Sequence, residues 1–333
     1  MSGPVLARVL DAALDRTVVP GYSSLGYLIR RHWWDSRPIR PTAARVAVTG
    51  ASSGIGEAIC TQLAAGGARV LMVVRDRGRG ERARERVAAA LERASQETAD
   101  GQLELALCDV ADLAAVSEFA ARLRKSEPEL AGLIHCAGVL NDERERSPDG
   151  HELTIATAAI GPFLLTRLLE PSLHQAPRAT VVFVSSGGMY TARLNAEDLQ
   201  LERRAFDGPR FYAHAKRVQV VLAGELAARA PDGRVAYASM HPGWVATHGL
   251  ESSLPHFYRL ARPILRDPGQ GADTASWLVA GGAATGPPGA FWHDRRPRPK
   301  HLLPWTREDS TDRDRVWAEL IRVAAPFESQ PGT

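Results

Sequence analysis

Lysine and cysteine are scarce in this 333-residue chain, with three of each. Lysine occurs only at Lys125, Lys216 and Lys300 among 41 basic residues, the rest being arginine. The three cysteines, Cys60, Cys108 and Cys136, lie far apart, each inside an apolar stretch. That spacing excludes a disulfide framework and a thiolate metal site; it reads as small buried hydrophobes in a reducing compartment. No metal is expected. A run of about 18 apolar residues is missing, so no transmembrane helix is expected. A basic start, apolar core and small-residue cleavage site are missing too, which argues against a secretory signal. The expected location is cytoplasmic. An excess of one charge is also lacking. With 41 Lys and Arg against 38 Asp and Glu the net charge is +3, too balanced to argue for nucleic acid. At 44% hydrophobic and 24% charged, the chain fits neither the disordered nor the collagen-like class.

From residue 45 onward short apolar runs alternate with helical stretches. Val46–Thr49, Val70–Val74, Leu103–Cys108, Leu133–Cys136, Val181–Val184 and Val235–Ser239 read as strands, and Ala290–Trp292 as a last one. Strands alternating with helices imply right-handed βαβ crossovers. The expected fold is α/β: a Rossmann-type doubly wound parallel sheet of about seven strands with helices on both faces. Three segments follow: an extension over 1–44, the α/β domain over 45–295, and a tail over 296–333 with a terminal helix near 314–327.

The extension carries seven Arg and three Asp through residue 45. Val5, Leu6, Val9, Leu10, Ala13 and Leu14 recur at helical spacing. Tyr27–Arg31 and the Trp33–Trp34 pair suit a membrane interface, but packing on the parent domain or a dimer contact explains them as well, and packing is the favoured reading.

Thr49–Gly56 reads TGASSGIG, directly after the first strand. Gly50, Gly54 and Gly56 allow a tight turn and close backbone approach to a pyrophosphate, with Ser52, Ser53 and Ile55 between them. The following helix offers free N–H groups to the phosphates. In an NAD site an acidic residue about 20 positions on takes the ribose hydroxyl. Here that position is Arg75, which suits a 2′-phosphate; Asp76 beside it is the counter-argument. NADP(H) is therefore favoured over NAD(H). Asp109, after the third strand, is a candidate partner for the adenine amino group or a helix cap.

Tyr212 and Lys216, four apart, share one helix face. A nearby ammonium favours the phenolate and is expected to lower the tyrosine pKa. Retaining lysine in a chain that otherwise uses arginine suits a compact ammonium that reaches both a phenol and ribose hydroxyls. Ser186 ends the fifth apolar run, at the sheet edge where ligands of such folds bind. Pro242 and Gly243 turn the chain after the sixth, bringing Thr247 toward the nicotinamide or making it a helix cap.

Together, Thr49–Gly56, Tyr212–Lys216 (YAHAK) and Pro242–Thr247 (PGWVAT) resemble the short-chain dehydrogenase/reductase superfamily, in the right order over about residues 45–295. Val184–Met189, Phe206–Gly208, Ser239–Trp244, Gln270–Thr274 and Asp294–Pro297 are similar to its retinol-dehydrogenase-like branch. The resemblance implies that Ser186, Tyr212 and Lys216 are catalytic, and that Ala137 and Gly138 also approach the cofactor. It implies reversible reduction of a ketone or aldehyde with Tyr212 as proton donor, a dimer or tetramer, and a substrate-side loop over 190–210. Leu250, Leu254, Phe257, Tyr258 and Leu260 suggest an apolar lid, hence a lipophilic substrate. Two departures stand out. His135–Cys136 replaces the two asparagines that precede Ala137–Gly138 in the family, and Ala158 stands where the family has a catalytic asparagine. They motivate the alternative of an impaired NADP(H)-binding sensor or scaffold, and leave the proton relay to backbone-held water or to Thr157.

Overall fold

Side chains in a strand alternate between two faces, and the core residues of this sheet divide accordingly. The computed structural model describes residues 10–15, 17–34, 38–39, 44–95, 101–230 and 232–328. Its strands are β1 (Arg45–Thr49), β2 (Arg69–Val74), β3 (Leu103–Leu107), β4 (Gly132–His135), β5 (Ala179–Val184), β6 (Val235–Met240), β7 (Phe291–His293) and β8 (Arg296–Arg298). They form one sheet in the order β3-β2-β1-β4-β5-β6-β7-β8. β1 to β7 are parallel and β8 pairs antiparallel with β7.

Val46, Val48, Val70, Met72, Ile134 and Val182 face one layer, built from α3 (Gly54–Ala65), α4 (Arg77–Ser95) and α10 (Pro268–Val279). Ala47, Leu71, Val73, Leu133, Val181 and Phe183 face the other, built from α5 (Leu113–Ser126), α6 (Leu153–Gln175), α7 (Gly208–Arg229) and α11 (Ser310–Glu328). Between these elements lie α8 (His248–Ser253) and α9 (Pro255–Ala261). Helix α6 is apolar and long enough to cross a membrane, but it is a core helix, buried over most of its length.

The sheet has eight strands rather than seven. β8 escapes a pattern search because it is three residues long and follows a two-residue turn without the usual glycine. Asp294 and Arg295 both take positive φ, 50° and 56°, as such a turn requires. Each is held by a partner: Asp294 by Arg30 and Arg266, Arg295 by Asp273.

Residues 10–15 are helical, followed by α1 (Val18–Tyr22) and α2 (Ser24–Arg31). Val5, Leu6 and Val9 lie outside the described residues. Of the paired tryptophans, Trp34 packs on the protein: it meets Tyr27 edge-on at 4.9 Å and lies under Arg295. Buried Arg30 bonds Asp11 and Asp294, while Arg298 clamps Asp11 with two nitrogens, each at 2.9 Å. These ion pairs fasten the extension to the β7–β8 hairpin.

Candidate active site

The glycine-rich turn between β1 and α3 has the shape its sequence calls for. Gly50 and Gly54 take φ of +69° and +57°. A Cβ on Gly56 would lie 2.2 Å from the Gly50 carbonyl oxygen, and one on Gly50 would lie 2.8 Å from the Ala137 backbone. No side chain caps the N-terminus of α3, which leaves its first amides available to an anion. Thr49 Oγ1 accepts bonds from the backbone N–H groups of Cys136 and Ala137, at 3.1 and 3.2 Å. It fixes the turn after β4, where the family's asparagines are replaced. His135 instead points into the core, bonded through Nε2 to Thr166.

At the end of β2, Asp76 accepts the Arg79 backbone N–H at 2.7 Å and so caps α4. Arg75 is exposed and borders the cleft, and Arg79 joins it one turn on. Arg79 is a lining residue the sequence analysis missed; in an arginine-rich helix nothing distinguished it. Asp109 lines the cleft and accepts the Ala111 N–H at 2.9 Å, but it is not the helix cap: Asp112 caps α5 through the Ala115 N–H.

Gly50, Gly54, Gly56, Arg75, Arg79 and Asp109 line one cavity of about 660 Å³ along the carboxyl ends of the strands. Ser52, Ser53, Ile55, Ala137, Gly138, Ser186, Tyr212, Lys216, Pro242, Gly243 and Thr247 border it as well. Thr247 also caps α8 through the Leu250 N–H.

Helix α7 opens at an Asp207 cap, with Pro209 in its first turn. Tyr212 therefore falls in the second turn and Lys216 one turn later, both against the end of β5. Ser186 and Tyr212 line the cleft together, and the Ser186 hydroxyl accepts the Gly188 N–H at 3.2 Å. Lys216 Nζ donates to the Val184 carbonyl at 2.8 Å, and Ser185 Oγ to the Lys216 carbonyl at 2.7 Å. The expected lowering of the tyrosine pKa is not found. Burial pushes the phenol up to about 12, and Ser186 only partly offsets it. Lys216 Nζ stands over the ring, 5.4 Å from its centroid. Burial brings the lysine itself down to about 8.

Ala158 sits in a π turn, Ala156–Ile160, at the start of α6. Pro162, four residues on, has no N–H to offer its carbonyl. Gln219 Nε2 donates to that carbonyl at 2.8 Å, across from α7. Gln219 is fully buried, and its Oε1 has no partner among the described residues. Its position three residues after Lys216 is a spacing signal that could have been read. Thr157 borders the cleft, but its hydroxyl is spent on the Leu153 carbonyl.

At the far end, Leu140, Trp244, Leu250, Leu254 and Phe257 make an apolar wall. Tyr258 is not among the lining residues, and Leu260 is 85% exposed. Of the 190–210 loop, only Thr191 and Pro209 reach the cleft; Leu194 and Leu199 go into the core.

A family model described as short chain dehydrogenase matches residues 44–196. Dehydrogenase/reductase SDR family member 12 of Bos taurus is 39% identical over 282 residues, covering 84% of this chain and 86% of that protein. The chain belongs to the short-chain dehydrogenase/reductase family. Within it, retinol dehydrogenase 14 of Mus musculus is 32% identical, covering 82% of this chain and 83% of its own, so the chain sits in the retinol-dehydrogenase-like branch. A structure from Escherichia coli CFT073, assigned to the short-chain dehydrogenases and complexed with NADPH, shares the fold. Its TM-score is 0.56 at 23% identity, over 72% of this chain and 91% of that one. As a short-chain dehydrogenase/reductase, the protein is an oxidoreductase on a nicotinamide-dinucleotide-binding fold.

Proposed function

We propose that the protein interconverts a lipophilic ketone or aldehyde and its alcohol with NADP(H), using Tyr212 as proton donor and acceptor. The observation that carries this reading is that Ser186 and Tyr212, with Lys216 one turn on, line the same cleft that begins at the glycine-rich turn.

The cleft fits the dinucleotide. Cβ atoms on Gly50 and Gly56 would collide with neighbouring backbone, so the turn is as tight as a pyrophosphate cradle needs, and the α3 amides are uncapped. Arg75 and Arg79 offer guanidinium groups to a 2′-phosphate, while Asp76 is occupied as a cap. When bound, NADP(H) supplies or takes the hydride. Ser186 orients the carbonyl oxygen beside the phenol. Tyr212, fully protonated at neutral pH, holds the proton that oxygen needs. Lys216 supplies a positive charge at the ribose end. Trp244, Leu254 and Phe257 exclude water from the reacting end. The binding-only alternative draws no support from a site in which all three catalytic side chains stand together.

Replacing Tyr212 by Phe removes the proton donor and keeps the ring. Reduction of any accepted ketone should fall by about 10²–10⁴-fold, with NADPH affinity retained in a fluorescence titration. Undiminished turnover overturns the assignment, and NADH binding as tight as NADPH overturns the choice of cofactor.

A further inference from the structure

Tyr22 lies at the end of α1, far in sequence from every residue of the site, yet its backbone and ring pack behind the wall of the cleft, against Trp244 and Gly187. Its carbonyl accepts the Trp244 N–H at 2.8 Å and Arg266 Nε at 3.1 Å. Arg266 in turn donates to the carbonyls of Gly21, Ser23 and Pro242, and its own N–H bonds the Trp244 carbonyl at 2.7 Å. The segment over residues 242–246, which follows β6, is thus pinned between the extension and Arg266.

The ring completes the contact. It is 5% exposed and packs edge-on against His241, Trp244 and His293. A Cβ on Gly187, next to Ser186, would lie 2.5 Å from ring Cε2; one on Gly243 would lie 2.7 Å from the Tyr22 carbonyl oxygen. Both loops that flank the reacting end are therefore shaped around this residue. Trp244 passes the contact on, meeting Phe257 of α9 edge-on at 5.0 Å, and both of these rings line the cleft.

We propose that Tyr22 is a positioning residue for the carbonyl substrate, holding the Trp244–Phe257 wall and backing the Ser186–Gly187 turn. The extension is then part of the substrate site and not an appendage to it. The proposal rests on the reading of the cleft as a carbonyl-reducing site. Tyr22→Leu keeps the backbone bonds to Trp244 and Arg266 and removes only the ring behind Gly187 and Trp244, so its effect falls on the carbonyl and not on the dinucleotide.

The test compares the full chain with its Tyr22→Leu and Tyr22→Phe variants. The probe is the best-reduced member of a panel of aliphatic and aromatic ketones, with NADPH. Leucine keeps the position apolar while removing the ring; phenylalanine restores the ring. Tyr22→Leu should raise KM for the ketone about tenfold with the NADPH Kd unchanged, and Tyr22→Phe should return KM to the wild-type value. An unchanged KM overturns the proposal. So does a parallel loss of NADPH and ketone affinity, the outcome of a merely structural role. A wild-type protein that binds NADPH but reduces no ketone or aldehyde refutes the underlying functional reading and not the packing around Tyr22.

Discussion

Lys216 is the residue whose chemistry and stability pull in opposite directions. Its ammonium is buried, and burial brings its pKa from 10.5 to about 8. Below pH 8 folded and unfolded chains both carry the proton, and the cost of burying it, about 3 kcal/mol, is fully present. Between 8 and 10.5 the unfolded chain binds the proton more tightly, so wild-type stability rises with pH across that window. Lys216→Met should abolish ketone reduction. Urea denaturation should also show its stability relative to wild type declining steadily from pH 8 to 10.5. A difference that does not vary with pH would mean the lysine is solvated in the folded protein. The same residue illustrates how residue-scale signals worked. A lone lysine four after a tyrosine is conspicuous in an arginine-rich chain, whereas its effect on that tyrosine depends on where Nζ points, which spacing does not encode.

Elements meet at the π turn of α6. Pro162 interrupts its hydrogen-bond ladder, and Gln219 of α7 bridges to the Ala158 carbonyl. This joins the helix bearing Tyr212 and Lys216 to the place where the family's asparagine is missing. Gln219→Leu keeps the volume and leaves a buried carbonyl without that donor, a loss of about 1–3 kcal/mol in unfolding free energy. Equilibrium denaturation checks it, and a neutral result would show that the carbonyl is satisfied within α6. The β7–β8 hairpin makes a similar point. Its turn residues are unremarkable alone; they hold positive φ because Arg30, Arg266 and Asp273 hold them.

At the scale of the molecule, four histidines are buried in the neutral form. Burial depresses His135 and His293 to about 3 and His214 to about 4, and holds His241 well below 6.5. The unfolded chain takes up these protons below about pH 6.5 and the folded chain does not, so each histidine removes about 1.4 kcal/mol per pH unit in that interval. Unfolding free energy should be level near pH 7–8 and drop steeply between pH 6.5 and 4. Asp294, held ionised by Arg266, adds its own loss only below its ordinary carboxylate range. A shallow acid limb in urea titrations at pH 7, 6 and 5 would contradict the buried neutral state.

Local patterns settled the parts of this protein whose causes are local. The parallel strands are apolar runs because both faces of the sheet are covered. The phosphate turn is a glycine spacing, and Tyr212–Lys216 is a helical repeat. Tertiary structure alone decided the rest. Asp76 became a cap and left Arg75 to border the cleft; Gln219 found the carbonyl that Pro162 left unserved. The extension folded Tyr22 against Gly187, Gly243 and Trp244. Those outcomes depend on contacts between distant residues, Arg266 and the Tyr22 carbonyl being 244 positions apart, and no periodicity in a sequence records which distant backbone a side chain will meet.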